Sequence, residues 1–153
     1  MPASDREIVG RQIGRPPRAF RGVAVRCPFG QPAVTEQAPF DESGAPFPTG
    51  FYVTCGHLVA QIARVEAAGG VERWTQATND DPALARSLAQ AHADQQALRP
   101  QLRGGIGGAV RTGSLKCLHA HAAFALARPG YALGDLILAE AGPLWPAESC
   151  CSG

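Results

Sequence analysis

The stretch that decides the fold is residues 20–54, FRGVAVRCPFGQPAVTEQAPFDESGAPFPTGFYVT. Within it, β-branched and aromatic residues concentrate in three runs, at 20–26, 33–37 and 51–54. Turns rich in Pro, Gly and Asp separate these runs. Short strands joined by such turns are typical of an antiparallel meander. We therefore predict a small antiparallel sheet near the N-terminus.

Beyond residue 55 the spacing of apolar residues changes to that of helices. Leu58, Ile62 and Val65 recur on one helical face, and a Gly-Gly pair follows at 69–70. The sequence Asp-Asp-Pro at 80–82 is typical of a helix start, with an acidic cap before a proline in the first turn. We predict a long helix after this start that ends near Arg99.

Further helices are predicted over 71–77 and from about Ser114, and residues 133–140 add a final turn or two. Residues 103–113 form a glycine-rich connector, and the overlapping stretch 108–114 resembles half of a phosphate loop but lacks its lysine. The predicted fold is α+β: a small N-terminal antiparallel sheet followed by three or four helices packed on one face.

Length and composition bound the domain organisation. The chain has 153 residues, 45% of them hydrophobic, and a net charge of +1, which suits one domain with a real core. We predict a flexible basic arm at 1–12, a single domain at 13–140 and a disordered tail at 141–153 that includes Cys150 and Cys151. Six arginines and two acidic residues fall in the first 26 positions, and a solvated arm is favoured over an anion-binding stretch.

No window has the length and hydropathy of a membrane span, and the N-terminus lacks the apolar core of a secretory signal. We therefore expect a cytoplasmic location, where stable disulfides are uncommon. The cysteines are then metal ligands, reactive thiols or buried thiols.

Three cysteines lie at the ends of predicted strands or at the starts of predicted helices. Cys27 lies at a strand exit, Cys55 just before a helix, and Cys117 in the first turn of the last predicted helix. Helix N-termini favour the thiolate, the form that binds metals or attacks electrophiles. Three thiolates and one imidazole suit zinc, and three thiolates suit an iron–sulfur cluster. A Cys/His nucleophile and inert buried thiols remain open alternatives, since no C-x₂-C pair is present.

The residues alone leave open which histidine accompanies Cys117. Cys117 and His121 share a helical face at i and i+4, whereas His119 joins Cys117 only if Cys117 precedes the regular helix. His57 is a further candidate ligand two residues after Cys55. Glu66 and Glu72 are predicted to be solvated helix residues.

Several short motifs resemble an uncharacterised bacterial family, domain-of-unknown-function family 501. The motifs are IGRPPR at 13–18, RCPFGQP at 26–32, PFPT at 46–49 leading to FYVTC at 51–55, and KCLH at 116–119. The resemblance implies that Cys27, Cys55, Cys117 and His119 belong to the family pattern, which favours His119 over His121. It implies the same for Arg15 and Arg18.

The chain departs from that pattern at two places, where Gly56 replaces an expected proline and 131–133 lack an expected Asn-Pro. Family members tend to be encoded near genes of cell division and polyphosphate metabolism, which implies association only.

These observations lead to one leading hypothesis and two alternatives. The first is a metal- or iron–sulfur-binding domain that uses Cys27, Cys55, Cys117 and His119, with His121 as the alternative ligand. The second is a cysteine-dependent enzyme acting on a phosphorylated or acyl substrate, whose anion Arg15 and Arg18 bind. The third is an interaction module linked to cell division. A phosphate-bearing small molecule is the expected partner, whereas neither a membrane nor nucleic acid is expected.

Overall fold

The computed structural model describes residues 2–111, 113 and 115–148. Cys150, Cys151 and Ser114 lie outside the described residues. The elements, in chain order, are α1 (Asp5–Ile13), β1 (Phe20–Arg26), β2 (Pro32–Gln37), β3 (Phe51–Val53), α2 (Gly56–Ala67), α3 (Gly70–Asp80), α4 (Pro82–Leu98), a 3₁₀ turn (Ile106–Gly108), α5 (Leu118–Ala127) and α6 (Ala132–Ala141).

The three strands form one antiparallel sheet in the order β1-β2-β3, which confirms the predicted α+β class. Val34 pairs with Val53, and Thr35 pairs with Tyr52. Because side chains alternate along a strand, Val34, Phe51 and Val53 share one face, and Thr35 and Tyr52 share the other. Phe51 meets Phe124 of α5 edge-to-face at 5.9 Å, so the first face covers the helical core.

Helix α5 lies at the centre of that core. It contacts β3, α2, α6 and the 3₁₀ turn, and its residues from Ala120 to Ala125 are all buried. A helix that is apolar all round is expected in such a position. The small alanines allow close approach: a Cβ at Gly134 of α6 would lie 2.6 Å from the Cβ of Ala125. The packing of α5 therefore fixes the position of its N-terminus, which carries Cys117.

Helix α1 differs from the predicted flexible arm. Ser4 and Glu7 form a reciprocal capping box, and Gly14 ends the helix with φ 76°. Val9 is 1% exposed, and Arg26 of β1 forms an ion pair with Asp5 at 2.6 Å. The helix packs on β1 and β2, so the basic residues of this stretch belong to an ordered element. The domain boundaries themselves stay a prediction.

The helical part also departs from the prediction in detail. Five α-helices follow the sheet in the described residues, where three or four were predicted. Helix α6 has ten residues instead of one or two turns. Helix α5 begins at Leu118, so Cys117 is its N-cap and not a residue of its first turn.

Among the described residues, no single helix is both long and apolar enough to cross a membrane. Helices α5 and α6 meet that length and composition test only together, as a pair bent by 112°.

Candidate functional site

Three side chains from two helices meet at the N-terminus of α5. Glu66 comes from the last turn of α2, Cys117 is the N-cap of α5, and His119 is its second residue. Their ligand atoms all lie within 4.8 Å of one another. Among the described residues, this is the only such group of three or more His, Cys, Asp or Glu side chains.

The backbone before α5 places Cys117 beside His119. Lys116 has φ 57°, the one positive value for a non-glycine residue in the described chain. The Cys117 N–H donates to the Leu115 carbonyl at 2.6 Å, which closes a tight turn around Lys116. Because Cys117 precedes the helix with extended backbone, its side chain reaches His119 instead of following the i, i+4 direction toward His121. Strained backbone of this kind is concentrated at functional sites.

His119 is held by both ring nitrogens. Its Nε2 bonds to the Val59 carbonyl at 3.1 Å and is therefore the N–H donor there. Its Nδ1 lies 3.1 Å from Oε1 of Glu66 and 3.9 Å from Sγ of Cys117. The hydrogen bond with Cys117, the Val59 carbonyl and the Glu66 charge together raise the pKa of His119 to about 9, although burial opposes them. The imidazolium is therefore the stable form at neutral pH.

The thiol of Cys117 responds in the opposite sense. Burial works to raise its pKa, but the hydrogen bond with His119 and the backbone N–H of Ala120 outweigh burial. The pKa of Cys117 lies below its ordinary value as a result. The lowered pKa of the Cys117 thiol and the raised pKa of the His119 imidazole both favour the thiolate–imidazolium pair over the neutral pair.

Glu66 is the site residue that sequence reasoning missed. It was predicted to be solvated, yet its Oε1 lies near His119 and its Oε2 accepts a 2.8 Å hydrogen bond from the Leu118 N–H. A carboxylate in the last turn of a helix is disfavoured by the dipole of that helix. Here Glu66 instead stabilises the N-terminus of the neighbouring α5. Its unfavourable position at the end of α2 was the one sign in the sequence that Glu66 has a role beyond a solvated helix residue.

A cavity of about 330 Å³ adjoins the site. It lies along β3, one of the two edge strands of the sheet, and Cys117 and His119 form part of its wall. Phe51, Val53 and Val59 make most of the rest apolar. A small molecule with an apolar portion would reach the thiol from this cavity.

Comparison with known proteins identifies the family. The sequence profile described as "Protein of unknown function (DUF501)" matches residues 23–104, more than half of the 153. The chain belongs to the DUF501 family. No curated protein and no solved structure shows significant similarity to it. The part that matches DUF501 contains Cys27, Cys55 and Glu66 and ends before Cys117 and His119.

In this DUF501 protein the structure does not assemble the predicted four-ligand set. Cys27 and Cys55 are buried in the hydrophobic core and lie outside the group formed by Glu66, Cys117 and His119. They follow β1 and β3, which run in the same direction, so both occupy the same end of the sheet. Cys55 occupies the N-cap position of α2, which agrees with its predicted position just before a helix.

His121, the alternative ligand, is a core residue. It is fully buried, with Nδ1 2.8 Å from the Tyr131 hydroxyl and Nε2 2.8 Å from the Leu115 carbonyl. Burial lowers the pKa of His121 to about 4, so the ring is neutral. His57, the further candidate, bonds through Nε2 to the Pro143 carbonyl at 3.0 Å. Neither histidine belongs to the described group around Cys117.

Arg15 and Arg18 line a separate cavity of about 170 Å³ on the outer face of the sheet, with Thr35 and Tyr52. Arg18 is bound to Asp41 at 3.0 Å, which offsets part of its charge. Their role in anion binding stays a prediction, as does the cytoplasmic location.

Proposed function

We propose that Glu66, Cys117 and His119 bind one transition-metal ion, zinc above all, with a coordination position open toward the apolar cavity. The observation that carries this proposal is that Oε1 of Glu66 and Sγ of Cys117 both lie on the Nδ1 side of His119. In a Cys–His–acid catalytic triad the acid instead orients the opposite ring nitrogen. Donors that share one side are arranged around a common point.

The spacing supports a tetrahedral ion. Zinc–sulfur bonds of about 2.3 Å and zinc–nitrogen or –oxygen bonds of about 2.0–2.1 Å separate neighbouring ligand atoms by roughly 3.3–3.6 Å. The observed separations are 3.1 Å for Nδ1 to Oε1 and 3.9 Å for Nδ1 to Sγ. Shifts of a few tenths of an ångström bring both into that range.

The surrounding hydrogen bonds also suit a metal site. A ligating histidine usually donates its other N–H to a carbonyl or carboxylate, and a ligating carboxylate is itself hydrogen-bonded. Here His119 Nε2 donates to the Val59 carbonyl, and Glu66 Oε2 accepts from the Leu118 N–H. Both outer contacts leave Nδ1 and Oε1 for the ion.

The mixed donor set favours zinc over an iron–sulfur cluster, which is held mainly by cysteine thiolates. Only one cysteine belongs to the described group. Three protein ligands with one open position are typical of catalytic zinc sites. When bound, the ion would supply a Lewis acid and an activated water beside the apolar cavity. The three side chains would hold the ion, with His119 oriented by the Val59 carbonyl and Glu66 oriented by the Leu118 N–H.

Metal content tests this proposal. The protein, purified without chelator or affinity metal, is expected to carry about one zinc per chain by elemental analysis. Glu66→Gln, Cys117→Ser and His119→Gln are each expected to weaken zinc binding at least about 100-fold. Even the loss of a residue that only hydrogen-bonds to a ligand weakens metal binding 10- to 100-fold. Glu72→Gln, which changes an exposed glutamate on α3, is the matched control and should bind normally.

Calorimetry adds an independent check. Because the pKa of His119 is about 9, zinc must displace a proton from Nδ1 at pH 7.5. Titrations in buffers of different ionisation enthalpy should therefore report about one proton released from this group. Zinc binding weaker than micromolar, or equal binding by all four variants, contradicts the proposal.

A second candidate function is a nucleophilic Cys117, favoured by its lowered pKa beside the imidazolium of His119. In chelator-treated protein, iodoacetamide should alkylate Cys117 with a pH midpoint below that of an ordinary cysteine. His119→Gln should slow the reaction at pH 7, because it removes the hydrogen bond that lowers the pKa of Cys117. A midpoint at or above 8.5, the ordinary cysteine value, argues against this function, and protection by added zinc favours the metal site.

A further inference from the structure

Strand β3 leaves one edge of the sheet open. The Gly50 carbonyl just before β3 accepts from the Gln37 N–H of β2 at 2.8 Å, and the Thr54 N–H just after β3 is also bonded to β2, at 2.9 Å. Since bonded residues alternate along an antiparallel strand, Phe51 and Val53 direct their N–H and C=O groups away from β2. In the described part of the chain, these four groups have no hydrogen-bond partner.

The cavity of about 330 Å³ that adjoins the proposed metal site lies at this open edge. Phe51 and Val53, whose side chains face the helical core, form part of its wall. Tyr52 also lines the cavity, although its side chain lies on the opposite face of the sheet. A cavity that touches residues of both faces of one strand lies at the edge of that strand.

The cavity is a cleft that follows β3 over its whole length. Val59, part of the wall, belongs to the first turn of α2, directly after β3. Gly107, also in the wall, lies near the other end of β3, because a Cβ on the adjacent Gly108 would be 2.8 Å from the Cβ of Pro48. Cys117 and the first turn of α5 complete the cleft.

The two edges of the sheet differ in how they are protected. Strand β1, the other edge, carries the exposed Arg21 and Arg26, and its register with β2 shifts at three places. Charges and bulges of this kind prevent an edge from pairing with a further strand. Strand β3 has no charged residue and no register shift, and its three residues are Phe, Tyr and Val. Its edge is therefore available, over about three residues, to an added strand.

We infer that an extended peptide binds along β3 as an added strand and is the substrate class of the proposed metal site. The substrate assignment rests on the proposed function, whereas the binding of the peptide does not. Added strands gain affinity from main-chain hydrogen bonds, and side-chain pockets supply specificity. Val59 and Ala120 in the wall favour a small apolar side chain.

The size of the cleft decides between a peptide and a second copy of the chain. A volume of about 330 Å³ is at the lower end of the range of ligand pockets, which suits one segment of extended chain. The edge of a second sheet cannot enter such a recess. A peptide that runs along β3 passes Cys117 and His119, so one of its carbonyls would face the open coordination position.

An acetylated and amidated heptapeptide, Ser-Thr-Val-Thr-Val-Thr-Ser, tests the inference with zinc-free protein. Its residues favour the extended conformation and include small apolar side chains. The backbone ¹H–¹⁵N signals of Phe51 and Val53 are expected to shift saturably, with a dissociation constant of about 1 mM or tighter. The same peptide with its inner amides N-methylated keeps the side chains but lacks the donors, and it should not bind.

Two variants of α2 place the peptide in the cleft. Val59→Phe puts a larger ring into the cleft and should weaken binding about tenfold or more. Ala60→Phe adds the same ring at the exposed neighbouring position, outside the wall, and should bind normally. The N-methylated peptide carries the test if Val59→Phe does not fold. The inference is overturned if the Phe51 and Val53 signals do not move, or if the two peptides or the two variants bind alike.

Loading the protein with ¹¹³Cd in place of zinc tests the substrate assignment separately. The peptide should shift the cadmium signal, because the added strand passes the metal. An unchanged cadmium signal, or protein that binds the peptide but no metal, overturns the substrate assignment and leaves the strand addition. Metal binding with unmoved Phe51 and Val53 signals overturns the peptide site and leaves the metal site.

Discussion

Replacing His121 with alanine is expected to lower the free energy of unfolding by about 4 kcal/mol. The imidazole is fully buried between the Tyr131 hydroxyl and the Leu115 carbonyl, with 2.8 Å contacts to both. Its removal leaves a cavity, takes the partner of the Tyr131 hydroxyl, and leaves the Leu115 carbonyl with the Cys117 N–H alone. Large-to-small core changes cost 2–5 kcal/mol, and each unsatisfied group adds about 1–3 kcal/mol before the surroundings relax.

A loss of about 4 kcal/mol is large relative to the total stability of such a domain. Domains of this kind have about 5–15 kcal/mol of stability, so the variant should unfold at a much lower urea concentration. Tyr131→Phe removes one of the two contacts and is expected to cost about 1–2 kcal/mol. It keeps the test informative if His121→Ala does not fold.

His57→Ala is the matched control, since His57 is only partly buried. It should cost less than about 1 kcal/mol, as surface changes usually do. A loss below 1 kcal/mol for His121→Ala, measured by urea unfolding, contradicts a structural role for this ring.

The result also bears on the site. The Leu115 carbonyl accepts from both His121 Nε2 and the Cys117 N–H, so the core histidine fixes the turn that presents the thiol. Loss of His121 should therefore also weaken the proposed zinc binding, although His121 does not belong to the group around Cys117. That link explains how two nearby histidines have different tasks: His119 faces Cys117, and His121 supports the backbone before it.

Local signals explain why the sheet was predictable. Strand β1 has the predicted bounds, Phe20–Arg26, because its β-branched residues and the following Pro-Gly turn act within a few residues of each other. Helix α4 begins at Pro82 after an Asp81 cap, as predicted, for the same reason. Helix α1 was missed because it buries only Val9, so its caps are its main signal.

The candidate site, by contrast, depends on contacts between residues that are distant in the sequence. Glu66 and Leu118 are 52 residues apart, and only the packing of α2 on α5 joins them. The sequence therefore singled out Cys117 and His119 as candidate ligands, whereas only the tertiary structure brings Glu66 beside them.

Lowering the pH from 7 to 4.5 is expected to remove about 2.5 kcal/mol of stability through His121. Its pKa is about 4 in the folded protein, against 6.5 for an ordinary histidine, because burial disfavours the charged ring. Between these values the unfolded chain binds a proton that the folded protein does not. Burial of the neutral His121 ring therefore costs no stability above pH 6.5. As the pH falls from 6.5 toward 4, the free energy of unfolding decreases.

His119 acts in the other direction, since a pKa of about 9 means that its contribution is complete below pH 6.5 and is lost as the pH rises toward 9. Asp41 and Glu140, whose pKa values are lowered by hydrogen bonds from Ser43 and Arg73, give stability that is complete above about pH 4.5 and is lost at lower pH. The range from pH 4.5 to 6.5 thus isolates His121, and His121→Leu supplies the comparison. Urea unfolding across this range should give a wild-type slope that exceeds the variant's by up to about one proton, or 1.4 kcal/mol per pH unit. Equal slopes would mean that His121 is charged, or exposed, in the folded protein.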